Sequence, residues 1–360
     1  MTCKQPIGGE FPVRLADFIA GGQGPAWPAY RGRHSLRCDS GRTALELALR
    51  HWRDQGRKPS TVWLPHYLCH SVATRLQRAR VPLRFYEDGP SCITGFEPPS
   101  PRADDLVVAV HYFGRVNTRM LGFAANGRRD WGLVEDCVQS TYSDGVGVSG
   151  DYAVTSLRKW WPAPDGASLH LADGGWAAPL DAPDEGFVSR RLLAKLLRDG
   201  DVSCERRYLE LVGESEARLD KSGTARAPSW VSGLLLDSVD LPAMAARRRA
   251  NFDILARRLL VLGEVGWPLR PLHSELDAGE VPLALAILLP AELRDPLRQF
   301  LAARRIFCPI HWQLEAHASA VAQLLSAQML SLPIDQRYAA ADMHRLADAV
   351  DSFFEGQHRE

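Results

Sequence analysis

The run GLVED (132–136) ends in two adjacent acids, Glu135 and Asp136, and the run YAVTS (152–156) is followed three residues later by a lysine, Lys159. An acid, a lysine and Ser156 at the ends of neighbouring strands can meet at one ligand, because ligands of open parallel sheets sit beyond the carboxyl ends of the strands. Taken singly, these groups describe no more than solvated loop residues or an ordinary ion pair. A third stretch shifts that weighing. In CDSGRTALELAL (38–49), Asp39, Ser40 and Gly41 directly precede an apolar run of helical spacing. Exposed N–H groups, a positive dipole end and nearby hydroxyls are the components of a phosphate site. A plain N-cap accounts for Asp39 or Ser40 but leaves the whole run through Arg42 and Thr43 unexplained.

An acid, a lysine, a serine and a phosphate cradle together suit pyridoxal phosphate. The lysine holds the aldehyde covalently, the acid keeps the pyridine nitrogen protonated so that the ring can accept electrons, and the cradle anchors the phosphate.

The elements that must position these groups alternate along the chain. TVWLP (61–65), LRFYE (83–87), LVVAV (106–110), GLVED and YAVTS read as short strands, and ALELALRHW (44–52) and SVATRLQRA (71–79) have helical apolar spacing. Such alternation predicts an α/β fold with a mainly parallel sheet between helices. From about residue 187 the pattern changes to charged helices, including 241–263. An apolar run at 282–289, a helix near 291–304, SLPI (331–334) and a helix near 339–354 then predict a smaller α/β domain. The expected division is 1–240 and 241–360. Segments rich in glycine and proline near 20–28 and 162–186 read as loops.

Forty-three basic residues balance forty-three acidic ones, which gives no electrostatic reason to expect nucleic acid or an anionic membrane as partner. No apolar run reaches the roughly 18 residues of a membrane span, and no charged-then-apolar leader opens the chain, so a cytoplasmic location is expected. Seven cysteines without a CxxC pair argue against a disulfide framework and a structural zinc site, and no metal is expected.

Over most of its length the sequence resembles the DegT/DnrJ/StrS aminotransferases, pyridoxal-phosphate enzymes of fold type I. SGRTALELAL looks like the family's phosphate loop, and VWLPHYLCHSVATRL (62–76) is similar to its strand-to-helix turn. VHYFG (110–114) and VEDCVQS (134–140) resemble its His-x-x-Gly and Glu-Asp-x-x-Gln/His motifs. GDYAVTSLRKWWPAPDGA (150–167) resembles its lysine block, and RRIFCPIHW (304–312) and LPIDQRY (332–338) resemble its small-domain segments. The resemblance implies a seven-stranded large-domain sheet and a homodimer with active sites at the subunit interface. Lys159 then carries the cofactor and shuttles the proton, Asp136 pairs with the ring nitrogen, and Gln139 donates to the ring hydroxyl oxygen. Ser156, Gly41, Arg42 and Thr43 hold the phosphate.

Departures from the family pattern accompany the match. The Ser156-to-Lys159 spacing is three residues, shorter than usual. Cys69, flanked by Tyr67 and His70, stands where an aromatic often stacks on the ring, and the sequence leaves open which of the three packs there. Trp160-Trp161-Pro162 replaces a polar stretch after the lysine. The customary Asn-Tyr-Arg segment is not recognisable in GTARAPSWVSG (223–233), leaving Arg226, Ser229 or Trp230 as its stand-ins. The implied reaction moves an amino group from an amino acid, glutamate or glutamine by resemblance, to a keto group of a nucleotide-linked sugar or related metabolite. A different pyridoxal-phosphate reaction on the same fold, and a catalytically silent member, remain as alternatives.

Overall fold

In the computed structural model the described residues are 5–18, 24–90, 94–198, 204–237, 239–315 and 318–357. After a two-residue strand β1 (Ile7–Gly8), the chain lays down the seven strands of its main sheet. These are β2 (His34–Cys38), β3 (Val62–Pro65), β4 (Leu83–Tyr86), β5 (Leu106–Val110), β6 (Gly132–Asp136), β7 (Tyr152–Val154) and β8 (Ala167–Leu171), in spatial order β2-β8-β7-β6-β5-β3-β4. Only β8 runs against the rest, pairing antiparallel with both β2 and β7. The mainly parallel seven-stranded sheet is therefore present. Its central strands β5 and β6 are buried at every position, as strands covered on both faces must be.

Helix α1 (Gly41–Asp54) packs on β8 and β7, and its apolar stripe includes Ala44, Leu45, Leu47, Ala48 and Leu49. Ser40 caps it, its hydroxyl accepting the Thr43 N–H at 3.3 Å. Helices α2 (His70–Arg78), α3 (Thr118–Ala125), α4 (Glu185–Arg198), α5 (Glu205–Lys221) and α6 (Trp230–Leu236) complete this part. The long α7 (Leu241–Glu264), N-capped by Asp240, leads to β9 (Arg270–Pro271), β10 (Leu285–Leu288), α8 (Ala291–Ala303), β11 (Ile306–Phe307), α9 (Ala320–Gln328), β12 (Met329–Leu332) and α10 (Ala340–Gln357). A three-stranded antiparallel sheet, β12-β10-β9, carries a second core with α7, α8 and α10.

The start of the chain joins that second core, since β1 pairs in parallel with β11 and Ile7 is fully buried there. Two strands of the main sheet, β2 and β8, lie in stretches without a clear apolar run and were not among the five expected from periodicity. Helix α9 was also not expected, and SLPI (331–334) only overlaps β12. Part of the expected 20–28 loop lies outside the described residues. No helix among the described residues is long and apolar enough to cross a membrane.

Candidate active site

Lys159 ends a short 3-10 helix (Leu157–Lys159) that follows β7, with Ser156 as its N-cap. Ser156 precedes the helix with extended backbone, φ −150° and ψ 115°, three residues before the lysine. The loop is pinned where it returns to β8. The Leu157 N–H reaches the Gly166 carbonyl at 2.9 Å and the Gly166 N–H reaches the Asp39 carbonyl at 2.7 Å. Gly166 holds φ +111°, a conformation a side chain would strain. Behind the lysine, Trp160 is fully buried. Its indole donates to the Val138 carbonyl at 3.1 Å, its own carbonyl accepts from Gln336 at 2.6 Å, and the Arg248 guanidinium lies 4.6 Å over its ring. The tryptophan thus fastens the lysine loop to the second core.

The acid pair at the end of β6 splits by strand alternation. Glu135 is fully buried and saturated. It accepts the His111 ring N–H at 2.8 Å and the backbone N–H groups of Gly147, Ser149 and Gly150 at 2.6–2.8 Å. Burial alone would raise its pKa, but these donors hold it below the ordinary carboxylate range. His111 is fixed as the tautomer with hydrogen on Nε2, because Nδ1 accepts the Asn117 N–H at 2.9 Å. His111, Glu135 and Cys137 bring ligand atoms within 4.8 Å of one another, yet both histidine nitrogens and both carboxylate oxygens already take part in hydrogen bonds among themselves and with the backbone. Asp136 differs. Only Oδ1 is engaged, by the Val138 N–H at 3.0 Å. Burial raises its pKa, while that N–H, Lys159 and His111 pull it down.

Gln139 is buried with its Oε1 accepting the Phe113 N–H at 2.9 Å and its Nε2 without an acceptor. The segment that supplies Phe113 ends at Gly114, whose φ is +100° and where a Cβ would stand 2.5 Å from the Val281 carbonyl. That close approach seats the second core against the sheet edge. At the other end of the site, a Cβ on Gly41 would lie 3.4 Å from that of Ser156, so the start of α1 adjoins the Ser156 hydroxyl, which has no hydrogen bond among the described residues. Thr43 lies beneath, its hydroxyl 3.0 Å from that of Ser40. The side chain of Arg42 is directed elsewhere. Its guanidinium is held by Glu216 at 2.8 Å and by Asp220 on α5.

Around the lysine, Cys69 and Asp136 are near enough to raise its pKa, but burial outweighs them and lowers it. Of the three residues left open by the sequence, Cys69 is the one whose charge acts on Lys159, and its thiol lies 3.2 Å from the Ser71 hydroxyl. His70 is exposed and tied to Glu315 at 2.7 Å and Thr74 at 3.0 Å, and Tyr67 is buried with its hydroxyl on the His311 carbonyl. Aromatic cover comes from a residue the sequence reading did not single out: the Trp312 ring centroid is 5.7 Å from Lys159 Nζ and 5.8 Å from the Tyr67 ring. The adjacent His311 is pushed down to about 3 by burial and by Lys159. Among the stand-ins near 226–230, Arg226 holds the Asp39 N–H with its carbonyl at 3.0 Å, Ser229 caps α6 and donates to Asp165 at 2.7 Å, and Trp230 is 73% exposed.

The second wall of Lys159 opens on a cavity of about 460 Å³ lined by residues 8–11, by Arg158, Tyr208 and Val212, and by second-core residues including Arg248, Phe307 and His311. Neither Glu10 nor Arg248 was singled out from the sequence, because nothing in local spacing marks the tertiary partner of a charge.

Pyridoxal phosphate fits this set on the structure's own terms. Among the described residues, a spare carboxylate oxygen, a buried amide N–H without an acceptor, a free hydroxyl beside unpaired helix N–H groups, and a lysine without an ion pair are what its nitrogen, hydroxyl, phosphate and aldehyde require. No family model matches the sequence, and no curated protein matches it. Solved structures do. Helicobacter pylori PseC, described as an aminotransferase involved in the biosynthesis of pseudoaminic acid, is similar at TM-score 0.65 and 14% identity, over 98% of this chain and 100% of that one. A DegT DnrJ EryC1 StrS aminotransferase from Brucella abortus is similar at TM-score 0.58 and 19% identity, over 89% and 86%. NtdA from Bacillus subtilis, solved with bound cofactor PMP, is similar at TM-score 0.64 and 12% identity, over 90% and 74%. The chain has the fold of these aminotransferases, fold type I.

Proposed function

We propose that the chain is a pyridoxal-phosphate-dependent aminotransferase that moves an amino group from an amino acid, glutamate or glutamine, to a keto group of a nucleotide-linked sugar or related metabolite. The observation that carries the reading is the convergence of under-used polar atoms on Lys159: Asp136 Oδ2, Gln139 Nε2, and the Ser156 hydroxyl beside the start of α1. The fold shared with aminotransferases that include sugar-pathway members supports it.

Lys159 holds the cofactor and, when released by substrate, is the base positioned to move a proton. Burial lowers its pKa, which keeps more of it neutral near physiological pH and suits it to that task. The cofactor supplies an electron sink for the substrate carbon. Asp136 holds the ring nitrogen's proton, Gln139 donates to the ring hydroxyl, and the α1 N-terminus with Ser156 and Thr43 receives the phosphate. Trp312 lays its ring over the lysine, with Tyr67 packed against it. The exposed Trp230, with Leu234 one turn further at 51% exposure, gives an apolar surface consistent with a homodimer.

The test is a half-reaction. The cofactor-loaded chain incubated with L-glutamate is expected to lose its visible absorbance band and release stoichiometric 2-oxoglutarate, after which keto-sugar nucleotides restore the band. A loaded chain that releases carbon dioxide or an aldehyde instead would replace transamination with another pyridoxal-phosphate reaction.

A further inference from the structure

The cavity beyond Lys159 has more positive charge on its walls than its acids can match. Arg337 is matched, since Asp335 accepts its fork at 2.7 and 2.8 Å. Glu10 is spent on Arg191 at 2.6 Å and Lys195 at 2.9 Å. Glu216 is shared by three guanidinium groups, those of Arg42 at 2.8 Å, Arg158 at 2.8 Å and Arg191 at 3.3 Å, of which Arg42 also has Asp220 and Arg191 also has Glu10. Arg158 gives Glu216 only its Nη1, and its Nε finds no acceptor. Arg248, fully buried, bonds only neutral groups: the Pro282 and Leu283 carbonyls at 3.1 and 3.0 Å and the Gln336 amide at 2.8 Å, with Nη2 unpaired. Buried guanidinium groups with N–H atoms left unpaired are costly, and an anion entering the cavity would offset that cost.

We propose that the cavity receives the carboxylate of the amino donor and that Arg158 takes it, with Arg248 adding its field from behind; this rests on the aminotransferase reading above. Arg158 and Lys159 line the same cavity, so an α-amino acid that enters it meets both an amine and a guanidinium, and a carboxylate suits the guanidinium's fork. The remaining walls, among them Phe11, Val212, Leu283 and Phe307, are apolar and suit a hydrocarbon chain. A nucleotide diphosphate would need several reachable donors, and Arg337 is already given to Asp335.

Calorimetric titration of glutarate, its neutral isostere glutaramide, and thymidine diphosphate into the cofactor-loaded and cofactor-free chain tests this. Glutarate is expected to bind and glutaramide to fail. Arg158→Gln should weaken glutarate about ten- to a hundredfold, and Arg158→Lys should recover part of the loss, because a point charge lacks the fork. Glu216→Gln removes the acid competing for Arg158 and should tighten glutarate several-fold, where a merely structural role would loosen it. Unchanged affinity in Arg158→Gln, weaker binding in Glu216→Gln, or thymidine diphosphate binding that depends on Arg158 would overturn the assignment. If the aminotransferase reading fails instead, the loaded chain will show no visible band while the cofactor-free chain still binds glutarate.

Discussion

Glu135 and Asp136 are neighbours of the same charge type, both buried at the end of one strand, yet their surroundings differ completely. Glu135 is met by four donors and retains no free lone pair of consequence, whereas Asp136 is met by one and keeps an oxygen unused. A saturated buried acid is a strut: it orders the 147–150 loop and fixes the His111 tautomer. An acid left half-satisfied at a strand's carboxyl end is poised for something that arrives later. The same contrast separates Arg42, whose fork is filled by Glu216 and Asp220, from Arg158, whose fork is only partly filled. Incomplete satisfaction, more than residue type, marks the site.

The sharpest break would come at Lys159, the most central of the under-satisfied groups. Lys159→Ala is expected to lose the visible band of the loaded chain and all turnover while unfolding near the wild-type temperature, because the lysine makes no ion pair that supports the fold. Absorbance and calorimetry on one preparation check both halves. A variant that keeps the band would move the attachment point to another lysine.

Much of this was legible in the chain. The central strands announced themselves as continuous apolar runs, and strand ends with Ser156, Lys159 and Asp136 pointed to one edge. What stayed hidden depends on partners far away in sequence. Strands β2 and β8 lack a strong apolar signature: β2 is an edge strand with most positions open to solvent, and β8, though buried throughout, carries Ser168 and His170. Arg42 sits in the phosphate-loop motif, but the acids that claim its side chain lie on α5, more than 170 residues on. Trp312 lies over the lysine and Glu10 lines its cavity from opposite ends of the sequence, where β1 and β11 pair across nearly the whole chain.

Asp136→Ala comes next in size. Without its charge the ring nitrogen loses the group that keeps it protonated, so transamination should fall at least about a hundredfold while the cofactor is still retained through Lys159 and the phosphate. Stopped-flow spectroscopy of the glutamate half-reaction measures it. Near-normal rates would mean that a different residue faces the nitrogen and would end the contrast with Glu135.

Glu135→Gln probes the other side of the comparison. The glutamine NH₂ must replace one carboxylate oxygen, and every position there faces an N–H donor; His111 cannot relieve this by changing tautomer, because its Nδ1 is taken by Asn117. The variant should lose about 2–4 kcal/mol of stability in urea titration. The loss depends on pH. Glu135 has a folded pKa below its ordinary 4.5, so its stabilisation is complete above the unfolded value and is lost as pH falls through the folded one. The stability gap between wild type and variant should therefore narrow as pH is taken below about 4.5, and a gap that widens on acidification would remove the charge from the explanation.

Arg42→Ala is the smallest and most discriminating test, because sequence and structure disagree about it. The motif places Arg42 in the phosphate loop, where losing a charge-assisted bond would weaken the cofactor about tenfold or more. The geometry spends its guanidinium on Glu216 and Asp220, and the proposed reading gives the phosphate to the backbone N–H groups of α1 and to Ser156. Backbone donors survive the substitution, so cofactor affinity should change by less than about threefold. The lost pairs, partly exposed on the acidic side, should cost about 1 kcal/mol of stability. Cofactor titration followed by absorbance separates the two: tenfold weakening would return Arg42 to the phosphate and make its pairing with α5 a state that the cofactor displaces.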